Sequence, residues 1–342
     1  MDADALAMVW FGLLGVLLAG YAILDGFDLG VGMLHLFLAR DDTERRLTLN
    51  SIGPLWDGNE VWLVTFGGAM FAAFPQAYAT IFSGFYSAFM ALLFALIFRA
   101  VSIEFRSKMT SQSWRRVWDT GFCLGSFFAA LLFGVAVGNV LAGVPVDGAG
   151  EYRGSLLEQI NLYSVLVGAL TVTLFAMHGT IFLYLKTEGQ FQQRIQRWIW
   201  HTFGVFLVFY IFTTMYTLVN IPQAIANLER YPLLWGVPVL NVLAIANIPR
   251  AIYLGRAGYA FVSSIGTIVA MVFLLGVALF PHLLTSSLDP QYSLTIYNAS
   301  SSQKTLGIML IIAIIGMPAV LAYTTAIYWT FRGKVQLDEH SY

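Results

Sequence analysis

The sequence predicts an all-α polytopic membrane protein with about nine transmembrane helices. The 342-residue chain is 58% hydrophobic and only 11% charged, whereas soluble globular proteins average about 25% charged residues. Its mean hydropathy is +0.73, and apolar segments of about 20 residues, the length that crosses a bilayer, recur along the chain. These three observations predict a single integral membrane domain over residues 1–342, with no soluble catalytic domain.

Nine segments qualify or nearly qualify as membrane spans. They lie at roughly 7–38, 52–74, 78–105, 118–143, 160–186, 200–221, 233–253, 258–283 and 304–332. The seventh segment is the weakest because two prolines and two asparagines interrupt it: Pro238, Asn241, Asn247 and Pro249. Eight spans are therefore the alternative. Turn-forming residues fill three loops on one side of the membrane, at about 144–159, 222–232 and 284–303.

The basic residues favour nine spans and predict an orientation. Short cytoplasmic loops collect Lys and Arg. With nine spans, only Arg153, Arg230 and Lys304 of the 18 basic residues fall on one side, and the other fifteen fall on the opposite side. Removing the seventh span would spoil this alternation. The amino terminus is therefore predicted to lie outside and the carboxyl terminus in the cytoplasm.

Charge and cysteine content exclude several function classes. The net charge is −1, so no basic excess favours a nucleic-acid partner. The single cysteine, Cys123, cannot form an intrachain disulfide or a thiolate cluster, and we interpret it as a small buried hydrophobic residue. The first apolar stretch is too long for the core of a cleavable signal peptide and lacks a basic segment before it.

Four carboxyl groups lie where bilayer-embedded helices rarely carry charge. Asp25 and Asp28 belong to the first span, and Asp57 and Glu60 belong to the second. An ionised side chain near the bilayer centre costs about 2.5–3.5 kcal/mol on insertion scales, so such residues normally mark a path for ions, protons or substrate. Residues three apart share one face of a helix. With the predicted topology, both pairs converge in the cytoplasmic half of the membrane.

A guanidinium reaches the same level from the third span. Arg99 near the end of that span is a candidate counter-charge for the acidic residues. Burial, a second carboxylate and a nearby guanidinium all change the proton affinity of a carboxyl group, which makes Asp57 a candidate for a group that changes protonation state. The alternative interpretation is that the carboxyl groups only bond neighbouring helices and fix their register.

The sequence offers no catalytic motif and no metal site. Histidine is sparse: His35, His201 and His282 lie near span ends, and only His178 lies well within a span. We interpret His178 as a core residue rather than a metal or haem ligand. The phosphate-binding loop, the dinucleotide glycine fingerprint and the zinc-protease motif are absent from the sequence. The glycine-rich run at 26–32 lies inside a helical span and follows no strand.

Six short runs carry a family resemblance. They are DGFDLGVG, DTERR, WDGNEVW, FAAFP, FSGFY and EFRSK, at 25–32, 42–46, 56–62, 71–75, 82–86 and 104–108. These runs resemble subunit II of the cytochrome bd ubiquinol oxidases, and the resemblance continues more loosely through Phe280-Pro281, residues 301–303 and the last span. The likeness is specific over about the first 140 residues and covers nearly the whole chain.

The resemblance implies a heterodimeric terminal oxidase of the bacterial inner membrane that reduces dioxygen with electrons from quinol. In that family, subunit I holds two b haems and a d haem, or a third b haem in its place, and quinol is the substrate. A structural quinone or lipid and a small single-helix accessory subunit are further expected partners. The family architecture is two four-helix bundles plus one peripheral helix. Its proposed proton path from the cytoplasm corresponds to Asp57 here, with Asp25 and Asp28 in the first span.

The resulting prediction is a subunit that scaffolds subunit I and conducts protons inward, contributing to the proton motive force. Asp57 is the principal proton carrier, Asp25 and Asp28 are its relay partners, and Glu60 is a polar support. One alternative is a cation-coupled secondary transporter, whose site would lie on helices broken at Gly58 or Pro238. Another is an assembly factor, distinguished by whether oxidase activity survives without the chain.

Overall fold

A computed structural model describes residues 1–337, and it confirms the predicted all-α fold. Twelve α-helices account for most of the described chain. They are α1 (Ala3–Leu38), α2 (Asp42–Ile52), α3 (Trp56–Ala73), α4 (Pro75–Gly84), α5 (Tyr86–Phe105), α6 (Gln112–Ala142), α7 (Leu162–Lys186), α8 (Gly189–Asn220), α9 (Gln223–Arg230), α10 (Gly236–Tyr253), α11 (Ala257–Leu279) and α12 (Gln303–Thr330). Two short strands, β1 (His282–Leu284) and β2 (Leu294–Thr295), pair antiparallel.

Eight of the helices within residues 1–337 are long and apolar enough to cross a membrane: α1, α5, α6, α7, α8, α10, α11 and α12. The interrupted seventh segment is among them as α10, which continues through Pro249. The predicted second span corresponds to α3, which has 18 residues and is therefore about 27 Å long. That length is close to the hydrocarbon thickness of about 30 Å. The count of nine spans stays a prediction.

The predicted third span, 78–105, is two helices rather than one. Phe74 has a non-helical backbone, and Pro75 begins α4 at a position where its missing N–H costs no helical bond. Phe85 then separates α4 from α5. The predicted spans also leave out α2, whose amino-terminal cap is Asp41. Residue 52, the predicted start of the second span, is the last residue of α2.

The division into two four-helix bundles plus one peripheral helix that the resemblance implies stays a prediction. Helix α1 packs on α3, α6 and α7, α6 packs on α5 and α7, and α7 also packs on α8 and α11. Gly30 of α1 touches the backbone of α7 at Gly179. A Cβ atom on Gly30 would clash with the Phe175 carbonyl, so glycine permits this approach. Helix α12 packs on α1 and α3 and leaves most of its surface exposed.

The helix ends gather at two opposite ends of the molecule. At the amino-terminal end, Met1 accepts a hydrogen bond from Gln303, and the strand pair joins the loop that follows α6. At the other end, here called the basic end, lie α2, the loop between α5 and α6, and the chain after α12. There the Lys334 ammonium donates to the Thr187 carbonyl at 2.7 Å. The basic end positions the start of α3 and therefore the acidic residues on it.

Candidate functional site

The centre of the candidate site is Arg99, which has no solvent exposure. It projects from α5 toward α1 and α3. Its Nη1 donates to Asp25 Oδ2 at 3.1 Å and to Glu60 Oε1 at 2.7 Å, and its Nη2 donates to Asp25 Oδ1 at 2.5 Å. The structure thus brings the counter-charge that the sequence predicts against a carboxyl group from each of the two acidic pairs.

Asp28 completes the group but is held differently. It is fully buried, three residues beyond Asp25 on α1 and ten residues before Leu38, which is about 15 Å along a helix. Its Oδ2 accepts from Asn59 Nδ2 at 2.7 Å and lies 4.0 Å from Arg99 Nη2. Within residues 1–337, its Oδ1 has no hydrogen-bond partner. We call Asp25, Asp28, Glu60 and Arg99 together the Arg99 cluster.

Asn59 and Tyr328 link the Arg99 cluster to α12. The Asn59 side chain is 2% exposed, and its Nδ2 also donates to the Leu24 carbonyl at 3.3 Å. The Tyr328 hydroxyl of α12 donates to Asn59 Oδ1 at 2.9 Å. Neither Asn59 nor Tyr328 is among the site residues predicted from the sequence. No local pattern signals a bond between residues 269 positions apart.

Tyr21 also belongs to this region and was missed. It lies one turn before Asp25 on α1, and its hydroxyl faces that carboxyl group. The residue is 3% exposed, but within the described residues its hydroxyl forms no hydrogen bond. The four-residue spacing from Asp25 was the available signal.

Asp57 lies apart from the buried group. It belongs to the first turn of α3 and is exposed at the surface of the chain, and none of the described residues forms a hydrogen bond or ion pair with it. Glu60, three residues on, has a side chain that is 25% exposed and bonds Arg99. The carboxyl groups therefore form a graded series, from exposed Asp57 through Glu60 to buried Asp25 and Asp28.

A second charged group, not predicted from the sequence, lies at the basic end. Asp119 of α6 is 1% exposed. It accepts from Arg45 at 2.7 Å, from His35 Nε2 at 2.9 Å and from Arg106. Arg106 also bonds Asp42, at 2.8 Å. This Asp119 cluster fixes α2 against α1, α5 and α6.

Asp42 at the edge of the Asp119 cluster is strongly paired. Burial of its carboxyl group opposes ionisation, but the hydrogen bond and charge of Arg106 and the charge of Arg115 outweigh it. Together they hold the pKa of Asp42 below its usual value. Arg115 Nη1 lies 2.9 Å from Asp42 Oδ2. The arrangement can anchor helices, but Asp42 stays ionised near neutral pH and does not take up a proton there.

The two fully buried histidines of the described chain already bond protein groups through both ring nitrogens. His178 engages both ring nitrogens, with Ser264 Oγ at 2.7 Å and with the Ile23 carbonyl at 3.1 Å. His35 likewise contacts Thr48 and Asp119 through its two nitrogens. Among residues 1–337, no group of three or more His, Cys, Asp or Glu side chains could hold a metal ion. His340 lies outside the described residues.

The fold and the buried ionic group define a multi-pass helical membrane protein with an intramembrane acidic site. The family model for cytochrome bd terminal oxidase subunit II matches residues 6–331. The chain is 36% identical to cytochrome bd-I ubiquinol oxidase subunit 2 of Escherichia coli K12, over 99% of this chain and 97% of that one. It is 35% identical to cytochrome bd ubiquinol oxidase subunit 2 of Bacillus subtilis 168, over 97% of each.

A solved structure shares the fold. The bd oxidase from Geobacillus thermodenitrificans aligns with a TM-score of 0.78 at 18% identity, covering 96% of this chain and 98% of that chain. The chain therefore belongs to the cytochrome bd terminal oxidase subunit II family, which confirms the resemblance predicted from its short runs. It is accordingly a subunit of an oxidoreductase complex that includes subunit I, and a multi-pass protein of the bacterial inner membrane.

Proposed function

We propose that this chain, as one membrane domain, scaffolds subunit I and conducts protons from the cytoplasm toward the site of dioxygen reduction. The observation that carries the proposal is the graded series of carboxyl groups that ends at buried Arg99. Intramembrane ionisable residues normally mark such a path. If quinol releases protons outside while oxygen chemistry takes them from inside, each charge moved against 100 mV stores about 2.3 kcal/mol.

Each carboxyl group has a distinct role in this path. Asp57, exposed at the surface of the chain, is the principal carrier that exchanges protons with water or with the partner. Glu60 lies between the surface and the interior and supports the transfer. Asp25 and Asp28 are the buried relay partners. Arg99 keeps two of these carboxyl groups in place without itself giving up a proton.

The redox chemistry of the complex belongs to its partner. The ring nitrogens of His35 and His178 bond protein groups, so this chain offers no iron ligand there. We propose that subunit I holds the two b haems and a d haem, or a b haem in its place, and that these supply electron transfer from quinol to dioxygen. A structural quinone or lipid and a small single-helix accessory subunit complete the proposed assembly.

The proposed orientation puts the basic end in the cytoplasm and the amino terminus outside. The fifteen basic residues that the span alternation puts on one side include Arg45, Arg106, Arg115 and Lys334, and the contacts of these four lie at the basic end. Cytoplasmic loops collect such residues. In this orientation, Asp57 near the start of α3 faces the cytoplasmic half of the membrane, which is the side from which protons are drawn.

The transporter alternative has less support. Gly58 lies in the first turn of α3 and Pro238 in the first turn of α10, and neither breaks its helix. The guanidinium of Arg99 already occupies the position that a coupling cation would take among the carboxyl groups. A second cation there would be repelled.

Charge translocation by the purified oxidase complex tests the proposal. The Asp57→Asn complex, reconstituted in vesicles, should consume oxygen more slowly with quinol and translocate less charge per second, with haem absorption unchanged. The matched control is Glu229→Gln, because Glu229 is an exposed carboxylate of α9 away from the Arg99 cluster. Normal oxygen consumption and charge movement in Asp57→Asn would remove Asp57 from the path. Oxidase activity without this chain would favour the assembly factor.

A further inference from the structure

The Arg99 cluster contains more carboxyl groups than cations. Asp25, Asp28 and Arg99 have no solvent exposure, and Glu60 is three-quarters buried. Three carboxyl groups face one guanidinium, so full ionisation would leave two excess negative charges between α1, α3 and α5. Charges in such a setting are stable only when they are paired and hydrogen-bonded. At least one carboxyl group must therefore be neutral.

The hydrogen bonds of Arg99 single out Asp28. Asp25 receives two charge-assisted bonds from Nη1 and Nη2, and Glu60 receives one from Nη1. The distance from Arg99 Nη2 to Asp28 Oδ2 is 4.0 Å, beyond hydrogen-bond range. Asp28 receives only a neutral amide bond, from Asn59. A neutral donor brings no opposite charge to the carboxylate, whereas Asp25 and Glu60 both contact the guanidinium directly, so Asp28 is the least stabilised as an anion.

We infer that Asp28 is the group on which the cluster stores a proton, with the proton on Oδ1. The orientation of Asn59 supports the choice of oxygen. The Leu24 carbonyl can only accept, so Asn59 presents Nδ2 to it, and the same Nδ2 donates to Asp28 Oδ2. Oδ2 is therefore the acceptor oxygen. Oδ1, which has no partner within residues 1–337, is the oxygen left to carry the proton.

Within the described part of the chain, two further polar groups near the Arg99 cluster lack a hydrogen-bond partner, as Oδ1 does. Arg99 Nε and the Tyr21 hydroxyl are buried and, within the described residues, also lack partners. Buried water typically satisfies groups of this kind. The titratable and charged groups facing Asp28 are Asp25 from α1, Glu60 from α3, Arg99 from α5 and Tyr328 from α12, and Tyr21 faces Asp25 beside it. A proton on Asp28, bridged by water, is the form in which this region meets its hydrogen-bonding requirements.

The infrared spectrum of the purified oxidase complex tests this inference. A protonated carboxyl group has a C=O stretching band that a carboxylate lacks, and the band shifts in D2O. Subtracting the spectrum of an Asp28→Asn complex from the unsubstituted one should leave this band as a positive peak. The Asp25→Asn subtraction should not leave it, because Asp25 accepts two bonds from the Arg99 guanidinium. An Asp28 subtraction that yields only carboxylate bands would overturn the inference.

A second variant keeps the test valid if Asp28→Asn does not assemble. Asn59→Ala removes the bond to Oδ2 but leaves the carboxyl group, so the band should remain and move to higher frequency. An unmoved band would also overturn the inference. The role of the stored proton rests on the proposed function, but the two can fail separately. A band assigned to Asp28 with normal charge translocation in Asp57→Asn would remove Asp57 from the proposed path but leave the stored proton on Asp28 supported.

Discussion

The Arg99 cluster and the Asp119 cluster contain the same types of charged side chain but differ in which charge is in excess. In the first, three carboxyl groups share one guanidinium, and one Asp28 oxygen has no partner within the described chain. In the second, Asp119 bonds His35 and two arginines, and both of its oxygens accept hydrogen bonds. Asp42, paired with Arg106 and Arg115, is its second carboxylate. An excess of carboxyl groups leaves sites that can bind protons, whereas an excess of cations leaves none, because arginine does not deprotonate in proteins.

Among these substitutions, removing the Asp119 carboxylate should destabilise the complex most. In Asp119→Asn, the guanidinium of Arg106 loses its buried partner and cannot neutralise itself. Breaking a buried ion pair in this way typically costs about 3–5 kcal/mol. We expect most of the complex to fail to assemble, measured as haem absorption per milligram of purified membrane. Normal haem content and stability would show that the Asp119 cluster does not anchor α2.

Removing the cation of the Arg99 cluster should destabilise the complex less than Asp119→Asn does. In Arg99→Gln, the carboxyl groups lose their charge-assisted bonds, each worth about 1.5–3 kcal/mol. They can take up protons from the membrane surface, which limits the loss. We expect a folded complex with reduced turnover. The free energy of unfolding, measured by detergent titration, should fall less than in Asp119→Asn. The reverse order would contradict the difference drawn between the two clusters.

Loosening the link to α12 should have a smaller effect. Tyr328→Phe removes the hydroxyl that donates to Asn59 Oδ1, a neutral hydrogen bond worth about 0.5–1.5 kcal/mol. Asn59 would still bond Asp28 through Nδ2. We expect a complex that assembles fully and loses oxidase activity by a few-fold at most, measured with an oxygen electrode. Thr330→Val, at an exposed position two residues further along α12, is the control. A Tyr328→Phe complex that fails to assemble would mean that the tyrosine is a main anchor of α12.

The sequence predicted the helices better than the polar contacts, for physical reasons. Hydropathy follows burial in lipid, so α7, α10 and α12 begin and end within three residues of their predicted bounds. The break at Phe85 was missed although the turn dipeptide Ser83-Gly84 precedes it, because apolar residues on both sides keep the hydropathy high. Arg99 was predictable as a counter-charge because it lies in an apolar span. Asp119 was missed because it lies at the start of a predicted span, where charge is ordinary.

The smallest expected effect is on the stability of the fold in acid, through Asp42 at the edge of the Asp119 cluster. The folded protein holds the pKa of Asp42 below its usual value, despite partial burial, because Arg106 bonds it and Arg115 lies beside it. Since the unfolded chain binds this proton more readily, the ion pair stabilises the fold above the ordinary Asp pKa of about 3.9. The stabilisation is lost as the pH falls through the lower folded-state pKa.

Replacing Asp42 isolates this contribution. The side chain is 45% exposed, so solvent screens the pair, and its contribution should be about 0–1 kcal/mol. Asp42→Asn should therefore lower the unfolding free energy slightly at pH 7 and have no effect below the folded-state pKa. Unfolding measured across this pH range, with Asp41 unchanged as the cap of α2, would show the two curves converging in acid. If they stay parallel, the effect of Asp42 is not electrostatic, and the order of the two clusters depends on packing rather than charge.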